Sequence, residues 1–298
     1  MPRAKSSPGT VHLIDALPYV FRAYHSLPSS MRAPDGQPIN AFHGFAGMLA
    51  RYLDEEQPTH LAICFDESLN TSFRNELYPD YKSSRPEADE ELAAQLDLCQ
   101  ELARAVGAPA LADPRYEADD LIGTLCARAV EAGYRVVVTT NDKDLGQLVG
   151  DAVTLYDFAK GERLDAEGVA AKLGVRPEQV ADFLGLAGDA VDDIPGVKGV
   201  GAKSAVALLA AYPSLDAIYA DLDGVEALEL RGAKSLRMKL ETGRDAAFLS
   251  RELATIARDA PVDLGPADLT WDGVDAKALG SLLERVGSQR LGARFGLD

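Results

Sequence analysis

The chain of 298 residues is poor in several things, and each scarcity excludes a class of protein. No apolar run approaches the roughly 18 residues that a membrane-spanning helix needs, so no membrane role is expected. Met1 to Thr10 carries Arg3 and Lys5, but His12 and Asp15 break the apolar stretch that follows, which makes a poor signal peptide. Cysteine is scarce: Cys64, Cys99 and Cys126 are odd in number and widely spaced. They suit neither a disulfide framework nor a zinc site, and point to a reducing, cytoplasmic setting. Positive charge is short as well, with 30 Lys and Arg against 47 Asp and Glu, a net −17. Such a protein repels nucleic acid, so composition by itself argues against a DNA-binding role. At 47% hydrophobic and 26% charged residues, the chain is globular, with length for one large domain or two modest ones.

Residues 1–10 read as a mobile arm. Beyond them, three apolar runs each lead into an aspartate: Val11–Ile14 into Asp15, Leu61–Phe65 into Asp66, and Arg135–Thr140 into Asn141-Asp142-Lys143-Asp144. They are short, partly β-branched and not alternating, as buried parallel strands are. Helical patterns lie between: one from Asn40, as cap, to Leu53; one from about Ala88 to Val106; one from Glu117 to Glu131. Strand–helix alternation predicts an α/β fold with a mostly parallel central sheet over 11–173. After Gly174 short helices separated by Gly and Pro take over, which predicts a smaller helical domain over 174–262. A last helix, near Val274 to Val286, is expected to pack back on the first domain within 263–298.

Open α/β sheets bind ligands outside the carboxyl ends of their strands, where Asp15, Asp66, Asp142 and Asp144 fall. A lone aspartate after a strand is ordinarily a turn residue; several at one edge are not explained that way. Glu117, Asp119 and Asp120 open a helix, where the macrodipole favours acids, yet three carboxylates in four residues repel unless a cation compensates. Asp189 and Asp192 repeat the spacing. Oxygen donors without His or Cys select Mg²⁺ or Mn²⁺. Nine carboxylates exceed the needs of one octahedral ion, so two or more ions are expected, a recurring arrangement for phosphodiester cleavage.

Ile194 to Lys203 follows, with glycines at Gly196, Gly199 and Gly201 and an apolar helical stretch behind them. Backbone N–H groups of such a turn can cradle a phosphate, the helix-hairpin-helix way of gripping DNA without reading bases. A tight helix connection is the plainer alternative; Lys198 and Lys203 weigh against it. Exposed carbonyls of the turn can also hold a monovalent cation such as K⁺. Residues 231–251 carry six basic residues against Glu241 and Asp245, which could extend the backbone track or form a solvated helix face. Residues 73–86 interleave aromatics with Arg74, Lys82 and Arg85 and read as a loop above the sheet edge. Phe73, Tyr78 or Tyr81 could stack on unpaired bases or anchor the loop to the core.

Together these residues resemble the 5′-nuclease family, the flap endonucleases and the 5′→3′ exonuclease domain of bacterial DNA polymerase I. The resemblance spans about residues 10–295, and its motifs come in family order. They are Asp15 with Arg22 and Tyr24-His25, Phe65-Asp66, Ser72-Phe73-Arg74, Tyr81-Lys82 with Arg85-Pro86, Tyr116 to Asp120, Asp142 to Leu145, Gly188-Asp189 with Asp192, and Ile194 to Gly201. Leu249-Ser250-Arg251 and Leu253 to Ile256 resemble the segment that closes the helical domain. The resemblance implies a PIN-like core and a two- or three-metal phosphodiesterase acting on DNA with 5′ ends, flaps or nicks, in replication and repair. By matching position, Asp15, Asp66, Glu117, Asp119, Asp120, Asp142, Asp144, Asp189 and Asp192 would be its metal-site acids. Lys82 and Arg85 resemble the family's basic pair at the base of a helical arch, about 76–95, which contacts the scissile phosphate; Arg22 and Arg74 match further phosphate contacts. Ala16 stands where the family usually has glycine, Leu17-Pro18 replaces a small polar pair, and Asp193 replaces a common asparagine. None removes a metal acid. The expectation is a stand-alone, monomeric nuclease whose polymerase comes from another chain. A metal-dependent ribonuclease on a related fold, or a branched-DNA-binding protein without activity, are the alternatives.

The resemblance overturns the inference from net charge. With the nine metal-site acids set aside, −17 becomes −8, and two divalent ions would bring the whole to −13. Residues 86–131 hold eleven acids and three bases, whereas 231–251 is net +4. The excess acid is in part the machinery, and long-range attraction to DNA is expected to be weak and salt-sensitive.

Overall fold

A computed structural model describes residues 9–67, 71–85, 89–229 and 232–297. The expected arm, apart from its last two residues, lies outside them, as do Arg231 and part of the expected arch. Six strands form one sheet: β1 (Thr10–Asp15), β2 (His60–Cys64), β3 (Ala110–Leu111), β4 (Arg135–Thr139), β5 (Val153–Asp157) and β6 (Glu162–Leu164). Their order is β3-β2-β1-β4-β5-β6, all neighbours parallel except the β5/β6 hairpin. The three expected strands are β2, β1 and β4, which pair at the centre of the sheet. β3 spans two residues and β6 three, too short for a periodic signal.

The helices are α1 (Leu17–Ser26), α2 (Asn40–Glu56), α3 (Phe73–Leu77), α4 (Glu90–Ala105), α5 (Ala118–Glu131), α6 (Ala166–Leu173), α7 (Val180–Ala187), α8 (Ala202–Ala211), α9 (Leu215–Ala220), α10 (Leu222–Ala227), α11 (Ala233–Thr242), α12 (Arg244–Ala254) and α13 (Ala276–Arg285). Among the described residues no helix is long and apolar enough to cross a membrane. Both faces of the sheet are covered, which is why its strands read as unbroken apolar runs. On one face Ile14, Leu61 and Ile63 pack with Phe42, Phe45 and Tyr52 of α2, Leu102 of α4 and Leu283 of α13. On the other, Leu13, Ala62 and Val138 pack with Leu121, Ile122 and Leu125 of α5. That second cluster runs on without a break into Val180 and Leu184 of α7, Leu208 of α8 and Leu253 of α12. The helical region is thus seated on the sheet face and shares its core.

Two local expectations change. Asn40 does not cap α2; it is the helix's first residue, and its amide donates to the Tyr24 and Leu27 carbonyls. The orphan donors at the α2 start are met from α4 instead, by Gln95 Oε1, which accepts from Ala41 N–H at 2.8 Å and Phe42 N–H at 3.3 Å. The segment at 73–86 is not a loop throughout, since α3 occupies its first five residues, capped by Ser72.

Candidate metal centre and nucleic-acid interface

Strand register decides where the acids fall. Asp15 lies opposite Cys64 and Ile14 opposite Thr139, so β1, β2 and β4 end together and Asp15, Asp66 and Asp142 follow at one edge. The first turn of α5 closes on the same edge: Ala118 N–H donates to Asp66 Oδ1 at 2.7 Å, and Asp119 is the next residue. Thr140 orients two of the acids. Its hydroxyl donates to Asp15 Oδ2 at 2.8 Å and accepts the Asp142 N–H at 3.0 Å. Asp142 Oδ1 in turn accepts the Asp144 N–H at 2.8 Å. Thr140 was not singled out from the sequence, although the polar pair Thr139-Thr140 before Asn141-Asp142 was the available signal.

The electrostatics of Asp15, Asp66, Asp119 and Asp144 share a sign and a cause. Burial pushes the Asp15 carboxyl up to about 8, with Asp66 and Asp142 adding and the Thr140 bond opposing. Burial, then Asp142, Asp15 and Asp66, hold Asp119 well above the usual carboxylate range. Burial raises Asp66 in spite of Lys82. Burial and Asp142 bring Asp144 to about 7, with Asp189 and Asp192 contributing. These are desolvated carboxylates facing one another with too little positive charge, the situation a divalent cation relieves. Glu117 Oε1 is a further buried acceptor without a partner. Among the described residues no three ligand side chains close around one point as they stand. The all-oxygen donor set nevertheless fits a divalent cation that takes oxygen ligands.

The nine acids do not share one fate. Asp15, Asp66, Asp119 and Asp142 act on one another, and Asp144 is joined through Asp142 to Asp189 and Asp192, which are themselves paired, Asp189 with Lys143 Nζ at 3.0 Å and Asp192 with Arg85. Glu117 is paired: Lys82 Nζ lies 2.7 Å from its Oε2, and Lys82 and Arg74 together hold its carboxyl below the usual range although burial pulls the other way. Asp120 is corrected as a metal acid. Its two oxygens accept from both terminal nitrogens of Arg74 at 2.7 and 2.8 Å, from Glu117 N–H at 3.1 Å and from Ala257 N–H at 2.8 Å. Every lone pair is engaged, so no acceptor is left for an ion.

Arg74 is corrected with it. It is 2% exposed, and besides Asp120 it donates to the Leu253 and Thr255 carbonyls, so it ties α3 to α5 and to the end of α12 and offers no donor to DNA. Tyr81 is buried too, with its hydroxyl donating to Glu117 at 3.2 Å; it anchors the segment to the core and cannot stack on a base. Lys82 and Arg85 face the acids. Lys82 is buried between Glu117 and Asp192, and Arg85 pairs with Asp192. Arg22 is exposed on α1 and lines a cavity of about 980 Å³ with His43, Arg51 and Arg294, and none of the nine acids is in that lining.

The Gly-rich hairpin joins α7 to α8. Gly196 and Gly199 have φ of +58° and +81°, conformations that favour glycine, and a side chain on Gly196 would run into the Gly188 backbone. Ser250 of α12 accepts the Gly196 N–H at 2.9 Å and holds the turn. Gly201 caps α8, and Lys198, Gly199, Gly201 and Lys203 are exposed, as a backbone-gripping turn requires. The Gly199 carbonyl accepts from Lys239 Nζ at 3.0 Å.

The family pattern of the 5′-3′ exonuclease N-terminal, resolvase-like domain matches residues 10–174, and that of the 5′-3′ exonuclease C-terminal SAM fold matches residues 175–277. The chain belongs to the 5′-3′ exonuclease family. Within that family it is 43% identical over 253 residues to the DNA polymerase I of Pseudomonas aeruginosa, covering 85% of this chain and 28% of the relative. It is 41% identical over 281 residues to the DNA polymerase I of Bacillus caldotenax, covering 93% of this chain and 31% of that one. The chain thus spans less than a third of the length of these relatives. In fold it is similar to the T5 5′-exonuclease with bound zinc (TM-score 0.66, 18% identity, 96% of each chain). The T5 D15 flap endonuclease in a complex with DNA and metal ions is as similar (TM-score 0.66, 16% identity, 97% and 98% of the chains). The catalytic core of Rad2 with DNA substrate follows at TM-score 0.60, 18% identity, 94% and 89% of the chains.

Proposed function

We propose that this exonuclease-family chain hydrolyses DNA phosphodiester bonds near a 5′ end or flap junction, using two or more Mg²⁺ or Mn²⁺ ions. The observation that carries this is the group of buried and half-buried, mutually repelling carboxylates beside Lys82, on a chain that also has an exposed Gly-rich hairpin. Asp15, Asp66, Asp119 and Asp142 would hold one ion, and Asp144, Asp189 and Asp192 a second, with the free oxygen of Glu117 in reserve. Such ions supply an activated water and stabilise the departing 3′ oxygen. Thr140 keeps Asp15 and Asp142 oriented for that task. Lys82 and Arg85 neutralise charge that builds on the phosphate, exchanging their present carboxylate partners for phosphate oxygens. The hairpin at Gly196 to Gly201, with Lys198 and Lys203, holds the duplex backbone and so sets the distance to the cut. A K⁺ at this turn would compete with Lys239 Nζ for the Gly199 carbonyl. A polymerase acting on the same nick is the expected partner activity.

The test is cleavage of a 5′-flap DNA duplex with Mg²⁺ and with chelator, product lengths resolved, beside a matched RNA flap. Metal-dependent cuts near the junction are expected. Faster cutting of the RNA flap would favour a ribonuclease, and tight junction binding without cleavage in Mg²⁺ or Mn²⁺ would favour a binding protein.

A further inference from the structure

The turn that carries Lys82 and Arg85 has almost no regular structure of its own. Lys82 sits at φ +55°, and its local backbone bonds are Ser83 N–H to the Asp80 carbonyl and Arg85 N–H to the Lys82 carbonyl. It is held from outside, by Asn75 of α3, whose amide donates to the Tyr81 carbonyl at 2.9 Å, and by the loop that leads into the Gly-rich hairpin. Lys82 N–H donates to the Asp192 carbonyl at 3.0 Å, Arg85 Nε to the Val191 carbonyl at 3.2 Å, and Ser84 N–H to Asp193 Oδ2 at 2.8 Å. The loop itself is stiff. Asp189 and Ile194 exchange two backbone hydrogen bonds, and Asp189 Oδ1 accepts the Val191 N–H at 2.7 Å. Asp193 therefore presents its carboxylate from a closed loop, at a left-handed φ of +55°.

We propose that Asp193 is a positioning residue, whose carboxylate clamps the Lys82–Arg85 turn onto the 189–194 loop and so sets both cations against the scissile phosphate. It rests on the assignment of Lys82 and Arg85 as phosphate contacts. Of the fastenings to this loop, which include the Arg85–Asp192 ion pair, this is the one made by a side chain outside the metal acids and the cationic pair, so it can be removed by itself. Misplacing a catalytic group by an ångström slows reactions by up to about a hundredfold; a clamp that loosens the turn without removing its charges should act within that range.

The test is steady-state cleavage of a 5′-flap duplex in saturating Mg²⁺ by three variants. Asp193→Ala should lower kcat roughly tenfold with KM close to that of the parent, and lower the melting temperature by a few degrees because alanine is strained at this left-handed φ. Asp193→Asn keeps an acceptor and tolerates the left-handed backbone, so it should return kcat to within about twofold. Asp193→Gly relieves the backbone but has no acceptor, and should stay as slow as Asp193→Ala. Parental kcat in Asp193→Ala, failure of Asp193→Asn to restore it, or full activity of Asp193→Gly would each overturn the proposal. Lys82→Ala separates this from the assignment beneath it: normal cleavage by Lys82→Ala sinks the phosphate-contact role, whereas a slow Lys82→Ala beside a fast Asp193→Ala sinks the clamp alone.

Discussion

Asp119 and Asp120 are neighbours in the first turn of α5, one half-buried and one buried, and they show opposite ways of taking a carboxylate out of water. Asp120 is 0% exposed and fully paired, held by Arg74 and by two backbone N–H groups. Asp119 is surrounded by Asp142, Asp15 and Asp66, and its carboxyl is pushed well above the usual range. A protein that can satisfy one buried acid this completely has no structural need to leave the next one, and three others, in mutual repulsion. On the proposed reading the unpaired group is kept for a ligand that brings positive charge, while the paired one fastens α3, α5 and the end of α12 together.

The two sites should separate cleanly under mutation. Asp119→Ala should lower single-turnover flap cleavage by about a thousandfold, or about 4 kcal/mol, and leave the metal-free protein as stable as the parent or more so. A stable Asp119→Ala that cuts normally would remove this acid from the site. Arg74→Met should do the reverse. Loss of the buried partner is expected to destabilise by about 3–5 kcal/mol in denaturant unfolding, because Asp120 is left charged and buried. The double variant Arg74→Met/Asp120→Leu should recover much of that. Weak binding of DNA by a fully stable Arg74→Met would restore its role as a phosphate contact.

The pH dependence of metal-free stability sharpens the same contrast. Asp15 at about 8, Asp144 at about 7, and the raised Asp66 and Asp119 all bind protons more tightly in the folded protein than in the unfolded chain. Stability contributed in this way is present at low pH and lost as pH rises through the folded values. His12 has the opposite sign: burial lowers it from 6.5 to about 4, so it adds stability as pH rises, but only up to about 6.5. Between pH 6.5 and 8 the aspartates act alone, and the melting temperature without metal should fall across that window. Saturating Mg²⁺ should flatten the fall, and a curve indifferent to Mg²⁺ would contradict the metal assignment. The smallest effect belongs to Tyr81→Phe, which removes one hydrogen bond to Glu117 and should cost about 0.5–1.5 kcal/mol of stability without changing DNA affinity.

Much of this was legible in the sequence, and the limits have physical causes. β1, β2 and β4 stood out because burial on both faces makes a strand uniformly apolar. The acids at their ends followed from topology. The split between Asp119 and Asp120 did not, because the partner that satisfies Asp120 lies 46 residues away and is called in by tertiary structure. Arg74 as a phosphate contact fails, and the two readings of Tyr81 stay open in the sequence, for a related reason: Pro and Ser nearby suggest a loop, whereas α3 and the pull of Glu117 and Asp120 bury both side chains. The start of α2 is likewise completed by Gln95, from a helix 54 residues on, and no local pattern around Asn40 announces it.

The most direct test is calorimetric titration of Mg²⁺ into the metal-free protein and into Asp119→Ala at pH 7.5, repeated in buffers of different ionisation enthalpy. If the buried aspartates are held partly protonated by mutual repulsion, the parent will bind two or more ions and release protons as it does so, and Asp119→Ala will lose at least one ion or most of its affinity. Equal stoichiometry and affinity in the two proteins, with no proton release, would contradict the account.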